Sequence, residues 1–358
     1  MTMLHVLVVR LDSMGDMLAA GPAIRAIAAS AGRVTVLAGP EGAAAARLLP
    51  GADEVLVWRC PWILSPPPAV DTADVQDVVD RLAAAGIDEA VILTSFHQSA
   101  LPTALLLRLA GVRRITAVSE DYPGALLDVR LPPPGDAPEP VRMLEIAAGA
   151  GFVASTDDSR LAVRRPLPSV ETVLPSGVRD SNYLVVHPGT SAPARAYPAP
   201  LWRDAVTALR DAGWAVVVTG SAAEQPLTQQ VSSGDGAAPI LDLGGRLELP
   251  HLAAVLEGAA VVVVANTGPA HLAAAVGTPV VSLFSPVVPA IRWAPHGVPL
   301  VVLGDQQAPC RDTRSTVCPV AGHPCLTSVG SADIVAAVER LAPRPVAPLA
   351  GAGSGGGR

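Results

Sequence analysis

The sequence predicts an α/β protein built from two similar open parallel-sheet domains. Its 358 residues suffice for two domains of about 100–200 residues each. Short β-branched runs alternate with longer alanine-rich segments of helical period, which is typical of βαβ units around a parallel sheet. Because the alternation occurs in two blocks, we expect an N-terminal domain over residues 1–165, a linker over 166–180 and a second domain over 181–330.

The first block contains five runs of strand length and four helical segments. The predicted strands are His5–Arg10, Arg33–Leu37, Glu54–Val57, Ala90–Thr94 and Arg114–Val118. The predicted helices are Met17–Ala29, Gly42–Leu48, Ala73–Ala85 and Leu101–Ala110.

The second block repeats the scheme. Its predicted strands are Tyr183–His187, Ala215–Thr219, Ile240–Asp242, Ala260–Ala265, Val280–Phe284 and Leu300–Leu303. Its predicted helices are Leu201–Ala212, Gln225–Gln230, Leu249–Glu257 and Ala270–Val276, followed by a last helix over 331–341 with Ser331 as its N-cap. Residues 342–358 are rich in Pro, Ala and Gly, and we expect this tail to be disordered.

Composition excludes several classes of function. The chain has no lysine, which rules out a Walker A loop and a Schiff-base lysine. The pI near 5.5 and the lack of a basic tract argue against a nucleic-acid partner. The N-terminus resembles a buried strand rather than a signal peptide, and we expect a cytoplasmic protein. The long uncharged stretch 258–291 contains four prolines, so it predicts strand, loop, helix, loop and strand rather than a membrane span.

The loop after the first predicted strand has two interpretations. It contains Ser13, Gly15 and Asp16 directly before a helix. Ser13 or Asp16 could cap that helix, or the Asp16 carboxylate could project into a cleft as a general base for a substrate hydroxyl. Gly15 permits the tight turn. The loop lacks the G-x-G-x-x-G pattern, which argues against a dinucleotide at this turn.

Loops of the second block suggest an anion site. Thr267 and Gly268 follow a buried strand, and His271 falls in the first turn of the next helix, where backbone N–H groups favour a phosphate. Arg195, in a loop between a strand and a helix, could hold a diphosphate or be a solvated surface residue. Glu224 follows another strand and could bind the hydroxyls of a ribose or cap a helix.

Four motifs in this order resemble glycosyltransferase family 9, the ADP-heptose heptosyltransferases. They are R-L-D-S-M-G-D-M-L near the N-terminus, H-P-G-T…A-R-A-Y-P, G-S-A-A-E, and N-T-G-P-A-H-L-A-A-A-V-G-T-P-V-V. The resemblance covers residues 4–341. It implies a GT-B fold, in which two Rossmann-like domains face a central cleft. It also implies that the first domain holds the acceptor and the second holds the nucleotide sugar.

The resemblance also implies roles for individual residues. Asp16 matches the family's catalytic base in its S-x-G-D motif. In the implied reaction this base takes the proton of the acceptor hydroxyl while ADP is displaced with inversion. Arg195 stands where the family usually has a diphosphate-binding lysine, and Asn266 replaces an aspartate associated with sugar hydroxyls. The remaining matches are Thr190 to a phosphate contact, Glu224 to the ribose contact, and Thr267, Gly268 and His271 to the phosphate and sugar site.

The family needs no metal or other cofactor, and the nucleotide-diphosphate sugar is a co-substrate. The implied acceptor is a glycan or a lipid-linked saccharide, so peripheral contact with the membrane is an open expectation. The apolar segment 61–70 could touch a membrane or an acceptor, or pack onto its own domain. For Cys310, Cys318 and Cys325, a zinc site with His323, a disulfide and reduced thiols all remain open, although the spacing does not match structural zinc.

Overall fold

Two six-stranded sheets, in which every strand runs parallel to its neighbours, organise the chain. The computed structural model describes residues 4–95, 97–153 and 158–343. The predicted class, a doubly wound α/β fold of the GT-B type, is confirmed. The tail predicted to be disordered falls almost wholly outside the described residues.

The first sheet and its helices span residues 5–149. In chain order the elements are β1 (His5–Arg10), α1 (Met14–Ala19), α2 (Gly21–Ala28), β2 (Arg33–Ala38), α3 (Ala43–Leu48), β3 (Glu54–Val57), α4 (Thr72–Ala85), β4 (Glu89–Ile92), α5 (Leu101–Leu109), β5 (Arg114–Val118), β6 (Val129–Leu131) and α6 (Glu139–Gly149).

The second sheet and its helices span residues 176–341. The elements are α7 (Ser176–Arg179), β7 (Leu184–His187), α8 (Ala199–Asp211), β8 (Val216–Val218), α9 (Gln225–Ser232), β9 (Ile240–Asp242), α10 (Leu249–Glu257), β10 (Val261–Ala265), α11 (Gly268–Val276), β11 (Val280–Leu283), α12 (Ala290–Trp293), β12 (Leu300–Leu303), α13 (Pro324–Thr327) and α14 (Ser331–Leu341). Short 3₁₀ turns occur at Gly124–Leu126, Pro193–Arg195 and Ala222–Glu224.

The strand order of both sheets reverses once. The first sheet has the order β3-β2-β1-β4-β5-β6 and the second β12-β11-β10-β7-β8-β9. The reversals lie between β1 and β4 and between β7 and β10. Loops that leave neighbouring strands at such a point diverge to opposite faces and open a crevice, in which open α/β sheets bind ligands.

The strands are apolar along their whole length because both faces of each sheet are covered. Every residue of β1 and of β10 is buried. Alternate residues of β1 contribute to two separate apolar clusters. One of these clusters continues into the second sheet through Leu161, Val163 and Leu174 of the connecting segment. The two halves of the molecule therefore share part of their core.

Several predicted boundaries are wrong. The helix predicted over Met17–Ala29 is two helices, α1 and α2, which meet at Ala20. The break has a local cause, since Pro22 has no N–H to continue the hydrogen bonding of α1. Strand β6 and helices α6, α7, α12 and α13 were not predicted. The N-cap of α14 is Gly330 instead of Ser331, and the Gly330 N–H donates to the Asp333 carboxylate at 2.8 Å.

The uncharged stretch 258–291 folds as predicted, into β10, α11 and β11 with loops between them. None of the helices in the described part of the chain is long and apolar enough to cross a bilayer.

Candidate active site

A cleft of about 330 Å³ lies where the reversal points of the two sheets face each other. Eight of the ten predicted site residues line it, together with nine residues that were not predicted. The predicted ones are Ser13, Gly15, Asp16, Arg195, Asn266, Thr267, Gly268 and His271. The others are Asp12, Ile63, Ser95, His97, Gln98, Ser191, Val288, Trp293 and Arg314.

Asp16 is held by two hydrogen bonds in the first turn of α1. The Arg10 guanidinium donates to Asp16 Oδ1 at 2.8 Å, and the Ser13 hydroxyl donates to Oδ2 at 2.7 Å. Ser13 occupies the N-cap position of α1, but its side chain makes no capping bond. Burial acts to raise the pKa of Asp16, but Arg10 and the Ser13 hydroxyl outweigh it and hold the pKa below its ordinary value. Asp16 is therefore ionised at neutral pH.

A second carboxylate, Asp12, stands beside Asp16. Its Oδ2 lies 3.1 Å from Arg10 Nε, and Gln98 Nε2 donates to its Oδ1 at 2.5 Å. Burial raises the pKa of Asp12 to about 6 despite the nearby guanidinium. Asp12 was not predicted as a site residue, although its position two residues after β1 is where such loops carry functional groups.

The turn from β10 into α11 presents polar atoms that have no hydrogen-bond partner among the residues the structure describes. Thr267 is the N-cap residue, yet its side chain makes no capping bond. Asn266 Oδ1 and His271 Nδ1 are buried without a hydrogen bond. Burial lowers the pKa of His271 to about 4, so its imidazole is neutral at pH 7. The N-terminus of α11 is suited to bind an anion, and the Asn266 amide oxygen can accept a hydrogen bond from a ligand hydroxyl.

Arg195 reaches the cleft from the 3₁₀ turn Pro193–Arg195. The Nε of Arg195 is buried and has no hydrogen-bond partner in the described part of the chain. Burial lowers its pKa, and the charge of Asp16 opposes that change. The turn is fixed by the C-terminal segment, since the Ala194 N–H donates to Thr316 O at 2.9 Å and His323 Nε2 lies 3.1 Å from Ala194 O. A cation with an unused donor thus faces a carboxylate across the cleft.

Thr190 and Glu224 are not among the residues that line the cleft. The Glu224 carboxylate accepts from the Ser221 N–H at 2.7 Å, as the third residue of a capping box whose N-cap is Ser221. Glu224 is itself the N-cap residue of α9, the alternative role considered for it, but its side chain makes no capping bond there. It also packs against Gly189, where a Cβ would collide with it. Thr190 Oγ1 is buried and has no hydrogen-bond partner among the described residues. Thr190 lies on the loop after β7, next to Ser191 of the cleft lining, and Glu224 lies on the loop after β8.

The three late cysteines are free thiols. Cys310 and Cys325 are buried and Cys318 is partly exposed. Burial raises the pKa of Cys325 to about 11. Within the described ranges, no group of three or more His, Cys, Asp or Glu side chains is arranged to hold a metal ion.

Two facing Rossmann-like sheets with a polar cleft between them are the architecture of the GT-B fold. A solved Escherichia coli heptosyltransferase with ADP superimposes with a TM-score of 0.66 and 18% sequence identity, over 95% of this chain and 100% of that one. At this level of sequence identity, the structural similarity shows that the two proteins share a fold.

The sequence model of glycosyltransferase family 9 (heptosyltransferase) matches residues 143–322, about half of the chain. Lipopolysaccharide heptosyltransferase 3 of Escherichia coli is 29% identical over 167 residues, which are 45% of this chain and 47% of that protein. Lipopolysaccharide heptosyltransferase 1 of Pseudomonas aeruginosa is 36% identical over 137 residues, which are 38% of this chain and 37% of that protein. The matches span about half or less of these curated relatives. The chain belongs to glycosyltransferase family 9.

Proposed function

We propose that this protein is an inverting, metal-independent glycosyltransferase that moves a sugar, heptose from ADP-heptose, to a hydroxyl of a glycan or lipid-linked saccharide. The observation that carries the proposal is the shared cleft. An ionised carboxylate on the first sheet's side faces an arginine and a helix N-terminus with unused hydrogen-bonding groups. The two sides have the complementary charges that an acceptor hydroxyl and a diphosphate leaving group require.

The proposed reaction is a single displacement. Asp16 accepts the proton of the acceptor hydroxyl while that oxygen attacks the anomeric carbon from one face. The bond between the anomeric carbon and the diphosphate oxygen breaks on the opposite face, and its electron pair leaves with ADP. Arg195 and the N–H groups at the start of α11 stabilise the negative charge that develops on the diphosphate. Inversion follows because attack and departure occur on opposite faces.

The assignment of substrates to the two halves is part of the proposal. The acceptor lies against the domain of residues 1–165 and the nucleotide sugar against that of 181–330, with 166–180 as the linker. We place Thr190 at a phosphate, Glu224 near the ribose and Asn266 at the sugar. The reaction is assigned to the cytoplasm, with the enzyme at the inner face of the membrane when the acceptor is lipid-linked. Supporting evidence comes from family membership and from the relatives named as lipopolysaccharide heptosyltransferases.

Nucleotide selectivity tests the donor assignment. In calorimetric titrations of the purified protein with ADP, UDP, GDP and NAD, we expect ADP to bind at least about tenfold more tightly than the others, a difference of about 1.4 kcal/mol. Excess EDTA should leave the affinity unchanged. A preference for UDP would instead favour a UDP-sugar transferase or epimerase of the same fold. ADP binding without turnover of any ADP-sugar and acceptor would favour a non-catalytic binding module.

The contact between α1 and α11 supplies a separate prediction. A Cβ on Gly15 would lie 2.8 Å from His271 Cδ2 and 3.4 Å from the Gly268 Cα, closer to the ring than side chains tolerate. Gly15→Ala should therefore displace His271 and separate the two halves of the site. We expect kcat/KM to fall about 100-fold and the free energy of unfolding to fall by about 1–3 kcal/mol.

Gly177→Ala is the matched control, because a Cβ at Gly177 meets no atom within 4 Å. It should leave both the activity and the melting temperature near those of the parent protein. If Gly15→Ala retained full activity, close approach of α1 and α11 would not be a requirement of the site.

A further inference from the structure

A cluster of five charged side chains lies beneath Asp16. Its centre is Arg10, the last residue of β1, whose side chain is 0% exposed. We call this set, which comprises Arg10, Asp12, Asp16, Glu139 and Arg142, the Arg10 cluster. Arg10 contacts three carboxylates: Asp12 at 3.1 Å, Asp16 at 2.8 Å and Glu139 at 3.3 Å. A fully buried guanidinium between three carboxylates costs desolvation free energy, which a residue needed only for packing would not require.

Helix α6 completes the cluster from a distant part of the sequence. Glu139, at the start of α6, is 0% exposed, and Arg142, one turn later, is 1% exposed; the two form an ion pair. Glu139 contacts Arg10 from the α6 side, and Arg142 pairs with Glu139. Arg10 also donates to Ser95 Oγ at 3.1 Å and to the Leu93 carbonyl at 3.4 Å. The guanidinium is thus fixed by β1, the segment after β4, and α6.

The cluster contains two cations and three carboxylates. Burial alone favours the neutral form of an acid, as the raised pKa of Asp12 illustrates. Asp16 behaves in the opposite way because the Arg10 guanidinium and the Ser13 hydroxyl bond directly to its two oxygens. Among these two partners, only Arg10 carries a charge.

We propose that Arg10 is a positioning residue for the transfer reaction, which holds Asp16 ionised and oriented toward the acceptor hydroxyl, and that the Glu139–Arg142 pair of α6 holds Arg10 in place. This inference rests on the proposed role of Asp16 as general base. It assigns to α6, outside the cleft, a part in the chemistry.

Other charged or titratable groups face Asp16, but they do not supply the charged hydrogen bond that Arg10 gives it. His271 of α11 is neutral at pH 7, and Arg195 approaches from the opposite side of the cleft. His97 is influenced by the charge of Asp16, and the pKa of His97 is lowered, chiefly by burial. Asp12 adds a negative charge that opposes ionisation of Asp16. Removal of Arg10 therefore takes away the charged hydrogen-bond donor of Asp16, while Arg195 still acts on Asp16 through charge across the cleft.

The test compares Arg10→Gln, Arg10→Lys and Arg210→Gln. Arg210 is a matched control because it is also a buried arginine, but within the described ranges its side chain donates only to the backbone carbonyls of Gly234, Gly236 and Ala238. For each variant we would measure kcat and kcat/KM from pH 4 to 9, and the dissociation constant of ADP. Asp16→Asn is measured in parallel.

The direction of the expected shift in the pH profile follows from the charge of Arg10. Loss of the guanidinium in Arg10→Gln raises the pKa of Asp16, so the acid limb of kcat/KM should move up by about one to three pH units. At pH 7 kcat should fall about 100-fold, and the ADP dissociation constant should stay within about twofold. Arg10→Lys keeps the positive charge but lacks the planar guanidinium, which can contact several carboxylates at once. Its acid limb should stay near that of the parent protein, while kcat falls about tenfold.

The outcomes separate this inference from the proposed function. If Asp16→Asn remains fully active, the general-base assignment fails. Two results would refute the positioning role of Arg10 while leaving the general-base assignment intact. In both, Asp16→Asn is inactive. In the first, Arg10→Gln keeps the acid limb of the parent protein, and in the second, Arg210→Gln shifts the acid limb as far as Arg10→Gln does. Should Arg10→Gln not fold, Arg10→Lys and Glu139→Gln carry the test. Both must lower kcat with ADP binding intact, and unchanged kcat in either would overturn the inference.

Discussion

Asp16→Asn is expected to lower kcat by about 10²–10⁴-fold, the usual contribution of a general base. The substitution keeps the shape of the side chain and removes the charge that, in the proposed reaction, accepts the proton of the acceptor hydroxyl. Asp16 is ionised because Arg10 and Ser13 bond to its two oxygens. The anion site is formed by other elements, namely the start of α11 and the turn that carries Arg195. The dissociation constant of ADP should therefore stay within about twofold.

Initial rates of ADP release with donor and acceptor present would measure this effect, with calorimetry for the binding of ADP. Asp12→Asn is the informative comparison, because Asp12 is the other carboxylate of the loop after β1 and also lines the cleft. We expect a loss of less than about tenfold for Asp12→Asn, which retains the hydrogen-bonding shape of the residue. If the order of the two losses were reversed, Asp12 would be the base.

Arg195→Ala should produce the second large loss, of about 10²–10³-fold in kcat. Its guanidinium lies in the cleft with Asp16 and His271, and its buried Nε has no partner among the residues described. We propose that this free donor binds the diphosphate, so its removal should raise the dissociation constant of ADP as well. In this respect Arg195→Ala should differ from Asp16→Asn, in which we expect the affinity for ADP to be retained.

Arg195→Lys tests the geometry of the contact. A lysine keeps the charge but is a single-point donor, so we expect a loss of about tenfold, between those of the parent protein and Arg195→Ala. Arg203→Ala, which removes a largely exposed arginine of α8, is the control and should be neutral. Equal activity of Arg195→Ala and Arg203→Ala would show that Arg195 is a surface cation with no part in leaving-group stabilisation.

Much of the fold was predictable because its signals are local. Buried parallel strands are apolar along their length, and β1, β3, β5, β9 and β12 have the predicted bounds, as does helix α10. Two unpredicted elements have a weak local signal. β6 is three residues long, and α6 begins between Pro138 and Pro140, where prolines suggest a loop. Pro140 is tolerated because the first helical N–H groups need no partner within the helix.

The site was predictable to the extent that its residues follow strands directly. Asp16, Asn266, Thr267 and His271 lie in turns that leave β1 and β10, and such turns meet at the reversal point of a sheet. Asp12 lies in one of the same turns and was missed, because two carboxylates in one loop do not by themselves reveal which is ionised. Their protonation depends on Arg10, Ser13 and Gln98.

The sequence by itself determined the two-block α/β architecture, the family resemblance and the loops that carry the candidate groups, since these follow from periodicity and contiguous motifs. The tertiary structure alone decided which groups meet. It placed Glu139 of α6 against Arg10, 129 positions earlier in the chain, and Gly15 against His271. Burial and charge act through space, so the ionisation of Asp16 and the neutrality of His271 arise only when distant segments pack together.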